Sequence, residues 1–141
     1  MHIIDFETAK SLSEKLNIKT WNYCYYLYAK DDKKLIDWTS IEADYYLKDD
    51  NRFYAAPFIQ EVIEFLEKEY KWSIYITPRF DGFDNAQIDT YFEIYKTGYA
   101  GGKDYASDLH VGNRYESANR AIRETIDLII DEKTNPKYAK V

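Results

Sequence analysis

The sequence predicts an α+β fold in which an antiparallel sheet of about four to five strands packs against two to three helices. Two segments, 57–70 and 115–130, carry a single apolar stripe at helical spacing. Between them, WSIYITP and QIDTYFEIYKTG alternate apolar and polar side chains residue by residue, the period of a strand with one face buried. Ahead of both helices, TWNYCYYLYAK (residues 20–30) places four tyrosines and a tryptophan in eleven residues, a composition that fits a pleated surface.

In chain order, Asp5 is placed to cap a helix over 5–16, where Phe6, Ala9, Leu12, Ser13 and Leu16 repeat at helical spacing and Glu7 lies in the first turn. Asn17 is a left-handed stop. Residues 18–29 read as a strand, Lys30 to Lys34 as a polar turn, 35–40 as a returning hairpin strand, and IEADYYL (41–47) as a third strand ending in the polar turn KDDNR. In the helix over 57–70, Pro57 suits the first turn, where its missing amide has no partner. Phe58, Val62, Phe65, Leu66 and Tyr70 form its apolar face, with Gln60, Glu61, Glu64, Glu67 and Lys68 opposite.

In the strand that follows, Trp72, Ile74 and Ile76 alternate with Ser73, Tyr75 and Thr77, and Pro78 is expected to end the pairing. The loop 79–86 leads to a second strand, with Ile88, Phe92 and Ile94 on one face and Asp89, Tyr91, Glu93 and Tyr95 on the other. Residues 96–114 hold most of the glycines and read as a long connection or an extended hairpin tip. The last helix carries Ala118, Ala121, Ile122, Thr125, Ile126 and Ile129 on one stripe, with Arg120/Glu124 and Arg123/Asp127 paired across turns. Residues 132–141 form a frayed tail. If 18–29 is a central strand, one of its faces (Asn22, Cys24, Tyr26, Tyr28) lies beside Tyr75, Tyr91 and Tyr95.

At 141 residues, with 45% hydrophobic and 31% charged residues and only five Gly and three Pro, the chain reads as a single globular domain, 1–141. The lone Cys24 cannot form an internal disulfide, and no apolar run reaches the length of a signal peptide or spanning helix, so a reducing cytoplasm without membrane attachment is expected. Twenty-five acids against nineteen bases give a net charge of −6, which repels phosphate backbones and weighs against duplex DNA. The basic residues Arg114, Arg120 and Arg123 are interleaved with Glu116 and Glu124 and form no stripe.

Chemistry is sparse. His2 and His110 have no metal-ligand neighbour at useful spacing, so no metal site is expected. GYAGGK (98–103) fails as a phosphate loop: Gly98 stands one residue too close, and Asp104 replaces the magnesium-binding hydroxyl. DGFDN (81–85) lacks the ligand order of a calcium loop and reads as a turn. No catalytic residues and no cofactor are therefore expected, and the chain reads as a binding protein and not an enzyme. The candidate partner-binding residues are Tyr75, Asp89, Tyr91, Glu93 and Tyr95, with Tyr26 and Tyr28 added if the first strand lies alongside. Rings with polar tips suit binding hot spots, and the acids between them favour a basic partner. Three other readings stand beside this one. The tyrosines cover a half-exposed sheet and nothing more, they stack single-stranded RNA, or they mediate self-association into a homodimer.

The order FETAKSLSEKL, a Tyr-rich hairpin, YAAPFIQEVIEFLEKEY, two strands and YESANRAIRETIDLI resembles a group of short uncharacterised proteins of phages and prophages of Bacteroidota-like bacteria. Its most specific elements are the step Tyr54-Ala55-Ala56-Pro57 into a helix and the Tyr115-Glu116-Ser117 start of the last one; the Gly-rich 98–112 departs from the pattern. The resemblance implies an accessory phage protein with no assigned catalytic residues. Its expected target is a host protein or ribonucleoprotein with a basic surface, such as a CRISPR-type defence component.

Overall fold

The computed structural model describes residues 2–22, 24–49, 51–80, 82, 87–96, 105–106 and 113–133. Among them are four helices and six strands, the strands forming two antiparallel three-stranded sheets. The α+β class is therefore as expected, while the strands are divided between two sheets where one was expected. The chain forms two compact units, Met1–Ile59 with Ile130–Val141, and Gln60–Ile129.

The first unit opens with α1 (Phe6–Glu14). Asp5 Oδ1 accepts the Thr8 amide at 2.8 Å, which satisfies one of the unpaired donors of the first turn. The helix ends at Glu14 with Lys15 as its C-cap; beyond it Asn17 takes a left-handed φ of 59°, and the Ile18 amide reaches back to the Leu12 carbonyl at 3.1 Å. The N-terminal cap and the left-handed Asn17 are as expected, while the helix itself ends two residues short of the expected 16.

The Tyr-rich segment behaves differently. Only Tyr26–Ala29 forms a strand (β1), central in its sheet between β2 (Leu35–Asp37) and β3 (Phe53–Ala55). Leu27 pairs with Ile36 on one side and Ala55 on the other. Aromatic composition supplies a surface that fits a pleat, but a ladder needs partner backbone, and each partner strand is three residues long. Upstream the chain turns instead, the Cys24 amide donating to the Trp21 carbonyl at 3.3 Å.

Residues 41–47, expected as a strand, lie in α2 (Ser40–Asp49). Thr39 Oγ1 accepts the Glu42 amide at 3.3 Å, and Thr39-x-x-Glu42 is a capping-box spacing that the tyrosines obscured. Ala43 and Leu47, four apart, are buried, while Asp44 and Lys48 pair at 3.0 Å on the outer side. Cys24, Leu27, Ala43, Leu47 and Ala55 make one core cluster with Trp21, Trp38, Tyr46 and Phe53 packed around it. Phe53 to Ala55, expected as the approach to a helix, pair with β1. Pro57 lies ahead of α3 (Ile59–Tyr70) and not in its first turn. The backbone here is taken up by the chain's beginning: the Ile4 amide donates to the Pro57 carbonyl at 3.0 Å and the Ile59 amide to the His2 carbonyl at 2.8 Å.

All of α3 but Ile59 belongs to the second unit, where Val62 and Leu66 are fully buried. Lys71, at a left-handed φ of 64°, turns the chain directly into β4 (Trp72–Phe80), which pairs along its length with β5 (Gln87–Lys96). Pro78 does not end the pairing; it stands opposite Thr90, and β4 runs on to Phe80. β4 has β5 on one side only, so a residue without an amide is tolerated there. β6 (Tyr105–Ala106) pairs on the far side of β5. The last helix, α4 (Arg114–Glu132), starts at Asn113, whose Oδ1 accepts the Glu116 amide at 2.8 Å, and it buries Ala118, Ala121, Ile122, Thr125, Ile126 and Ile129 as the stripe requires. The expected turn at 81–85, the Gly-rich 98–104 and 107–112 with His110, and the tail from 134 lie largely or wholly outside the described residues.

Candidate partner-binding groove

The β4/β5 hairpin sorts its side chains by parity. Trp72, Ile74, Thr90, Phe92 and Ile94 are buried, which turns the opposite face outward, although Ser73 at the start of that face is buried as well. Thr90 bonds Ser117 of α4 and donates to the Asn113 carbonyl at 3.2 Å, which holds α4 against the buried face. On the outward face the register sets four cross-strand rows: Ser73 opposite Tyr95, Tyr75 opposite Glu93, Thr77 opposite Tyr91, and Arg79 opposite Asp89. Of the expected contact residues, Tyr75, Asp89, Tyr91, Glu93 and Tyr95 thus share one face, as their alternation requires.

Three rows end in an open groove of about 690 Å³ lined by Glu67, Ser73, Tyr75, Thr77, Glu93 and Tyr95. Tyr75 is 57% exposed and meets Tyr95 edge to face, ring centroids 5.6 Å apart at 78°. The Tyr95 hydroxyl donates to Glu93 Oε2. That bond to a carboxylate, with burial and the Glu93 charge behind it, raises the Tyr95 pKa above the usual tyrosine range, so the ring keeps its proton. Among the described residues, neither Glu67 nor Glu93 has a lysine or arginine ion-pair partner.

Asp89 is different. Arg79 grips it with two parallel bonds, Nε to Oδ1 at 2.9 Å and Nη2 to Oδ2 at 3.1 Å. Its charge is matched within the hairpin, so it is not available to attract a basic partner in the way Glu93 is. The same pairing raises the Arg79 pKa.

Tyr26 and Tyr28 do not lie beside these rings within one sheet. Both belong to β1 of the first unit, where Tyr26 packs edge to face on Phe58 at 6.2 Å and the Tyr28 hydroxyl donates to the Ile4 carbonyl at 2.7 Å. The Tyr26 ring and the Tyr28 hydroxyl thus make contacts inside that unit. Glu67, Ser73 and Thr77 were not anticipated as groove residues. The signal for Ser73 and Thr77 was their parity with Tyr75, and for Glu67 its position on the polar face of α3; proximity of α3 to the hairpin's outward face is not encoded in either period.

Among the described residues no group of three or more His, Cys, Asp and Glu could hold a metal ion, and no helix is long and apolar enough to cross a membrane. Cys24 is buried and donates to the Tyr26 carbonyl at 3.0 Å. Comparison with protein-family models, curated proteins and solved structures finds no match to this chain.

Proposed function

We propose that this chain is a non-enzymatic binding protein whose β4/β5 groove takes a basic surface of another protein. We propose further that it is a phage- or prophage-encoded inhibitor, its target a host defence protein or ribonucleoprotein of the CRISPR type. The observation that carries the binding reading is the exposed Tyr75 ring, edge to face with half-buried Tyr95 and flanked by Glu93 and Glu67 in one groove. Rings offer rigid contact area at low entropic cost, and the carboxylates select a cationic partner. A net charge of −6 steers such a partner in from a distance. The inhibitor role is supported by the sequence resemblance to short phage proteins and by the lack of a recognisable catalytic motif.

The RNA alternative draws on the same rings, yet a base stacked on Tyr75 would bring its phosphates toward Glu93 and Glu67, and that repulsion counts against it. The test is affinity capture from a bacterial lysate, with and without nuclease, using the wild-type chain beside a Tyr75→Ser/Glu93→Gln variant. A protein retained through nuclease treatment by the wild type and lost by the variant is the expected result. RNA as the sole species captured, or equal capture by both chains, overturns the reading.

A further inference from the structure

Resting on that reading, we infer that the groove is a receptor for the guanidinium of an arginine side chain carried by the protein partner. The argument starts from the groove's shape and charge. It is open, so it suits the end of a long side chain arriving from outside more than an enclosed small molecule. Its two rings stand edge to face, and Tyr75 is exposed enough to offer its ring to a planar cation. Beside the rings are two carboxylates, Glu93 in the cross-strand row of Tyr75 and Glu67 from α3, with no arginine or lysine of the chain's own described residues paired to either. Thr77 adds a hydroxyl oxygen able to accept an outer N–H group. A guanidinium is the one protein cation that is planar, donates five N–H bonds in a fixed fork, and stacks on aromatic faces; an ammonium uses the charge alone.

The same face already seats one guanidinium. Arg79 binds Asp89 bidentately at the end of the ladder where no tyrosine intervenes. Two rows along, Glu93 occupies the same strand and the same parity as Asp89, but its cross-strand partner is Tyr75 where Asp89 has Arg79. The hairpin thus repeats its carboxylate and omits the arginine, and the partner supplies it.

The experiment titrates three capped tripeptides, Gly-Arg-Gly, Gly-Lys-Gly and Gly-citrulline-Gly, into the full chain and follows backbone amide shifts by NMR. The arginine peptide should move Tyr75, Glu93 and Tyr95 saturably, and citrulline, isosteric but neutral, should bind about tenfold more weakly through loss of the cation–π and ion-pair contributions. Glu93→Gln should weaken the arginine peptide about threefold. Tyr95→Phe, which keeps the ring and releases Glu93 Oε2 from its intramolecular bond, should bind at least as well as wild type. Equal binding of arginine and citrulline peptides, shifts confined to other residues, or indifference to Glu93→Gln overturns the arginine assignment. Lysine binding as tight as arginine also overturns it but leaves a basic partner in place. The broader reading fails separately, if lysate capture is unchanged by the Tyr75→Ser/Glu93→Gln variant.

Discussion

Tyr54 shows how one hydroxyl can carry a measurable share of pH-dependent stability. It is 4% exposed in β3, its hydroxyl donates to Glu14 Oε1 at 2.6 Å, and its ring lies edge to face with Phe6 at 5.6 Å. Burial first, then the bond to Glu14 and the charges of Glu14 and Glu7, push its pKa from the ordinary 10.0 up to about 12. A folded value above the unfolded one means that the protonated ring favours the folded state. That stability is whole below pH 10 and is lost as pH climbs through about 12. Urea denaturation of the wild type and Tyr54→Phe between pH 9 and 11.5 should therefore give curves that converge: the wild type loses stability faster with rising pH because only it retains this group. A parallel decline of the two would show that other groups control the alkaline transition. At this scale the sequence was legible in Asp5 and Asn17, which act within a few residues of themselves, while the Asn113 cap of α4 was hidden in what reads as a connection. It was not legible in Arg79 and Asp89, ten residues apart, because their pairing depends on the register of a hairpin whose turn lies between them.

Among the elements, helices with one apolar stripe were readable and short strands were not. α3 and α4 stand within two residues of their expected bounds because an apolar stripe at a period near 3.6 fixes both the helix and its buried face. The aromatic segments carry no such period, so a strand is expected over 18–29 where only Tyr26–Ala29 forms one, and over 41–47 where Thr39 and the pair Ala43/Leu47 make a helix. Phe65 of α3 and Ile126 of α4, both on expected apolar stripes, separate by burial. Ile126 is fully buried and its truncation to Ala should cost about 2–5 kcal/mol in chemical denaturation. Phe65 is only half-buried, against Tyr70 at 5.9 Å, so Phe65→Ala should cost less than Ile126→Ala. A Phe65 variant that is the less stable of the two would mean that α3 contributes more to its unit's core than its burial indicates.

For the molecule as a whole, the question is whether its −6 charge acts as a diffuse field or through the groove. Two acids taken from the groove and two taken from elsewhere separate these cases, because each pair of changes moves the formal net charge from −6 to −4. Glu67→Gln/Glu93→Gln empties the groove of its carboxylates, and Asp31→Asn/Asp37→Asn removes two exposed acids of the first unit. A diffuse field predicts the same modest slowing of association in both, fading above about 0.15 M salt as the screening length falls below the spacing of exposed charges. A groove that grips a cation predicts that only the first variant also dissociates faster, since contacts made after docking govern the off-rate. With an arginine-rich peptide as the probe and stopped-flow mixing at two salt concentrations, the groove variant should therefore differ from the surface variant in off-rate, and the difference should persist at high salt. Asp89→Asn is the third arm: its charge is already matched by Arg79, so its removal should free a cation beside Tyr91 and weaken the probe by repulsion, without emptying the groove. Equal off-rates in all three variants would place the contact surface outside the hairpin, because no rearrangement of long-range charge can mimic the loss of two carboxylates from a site that holds the probe.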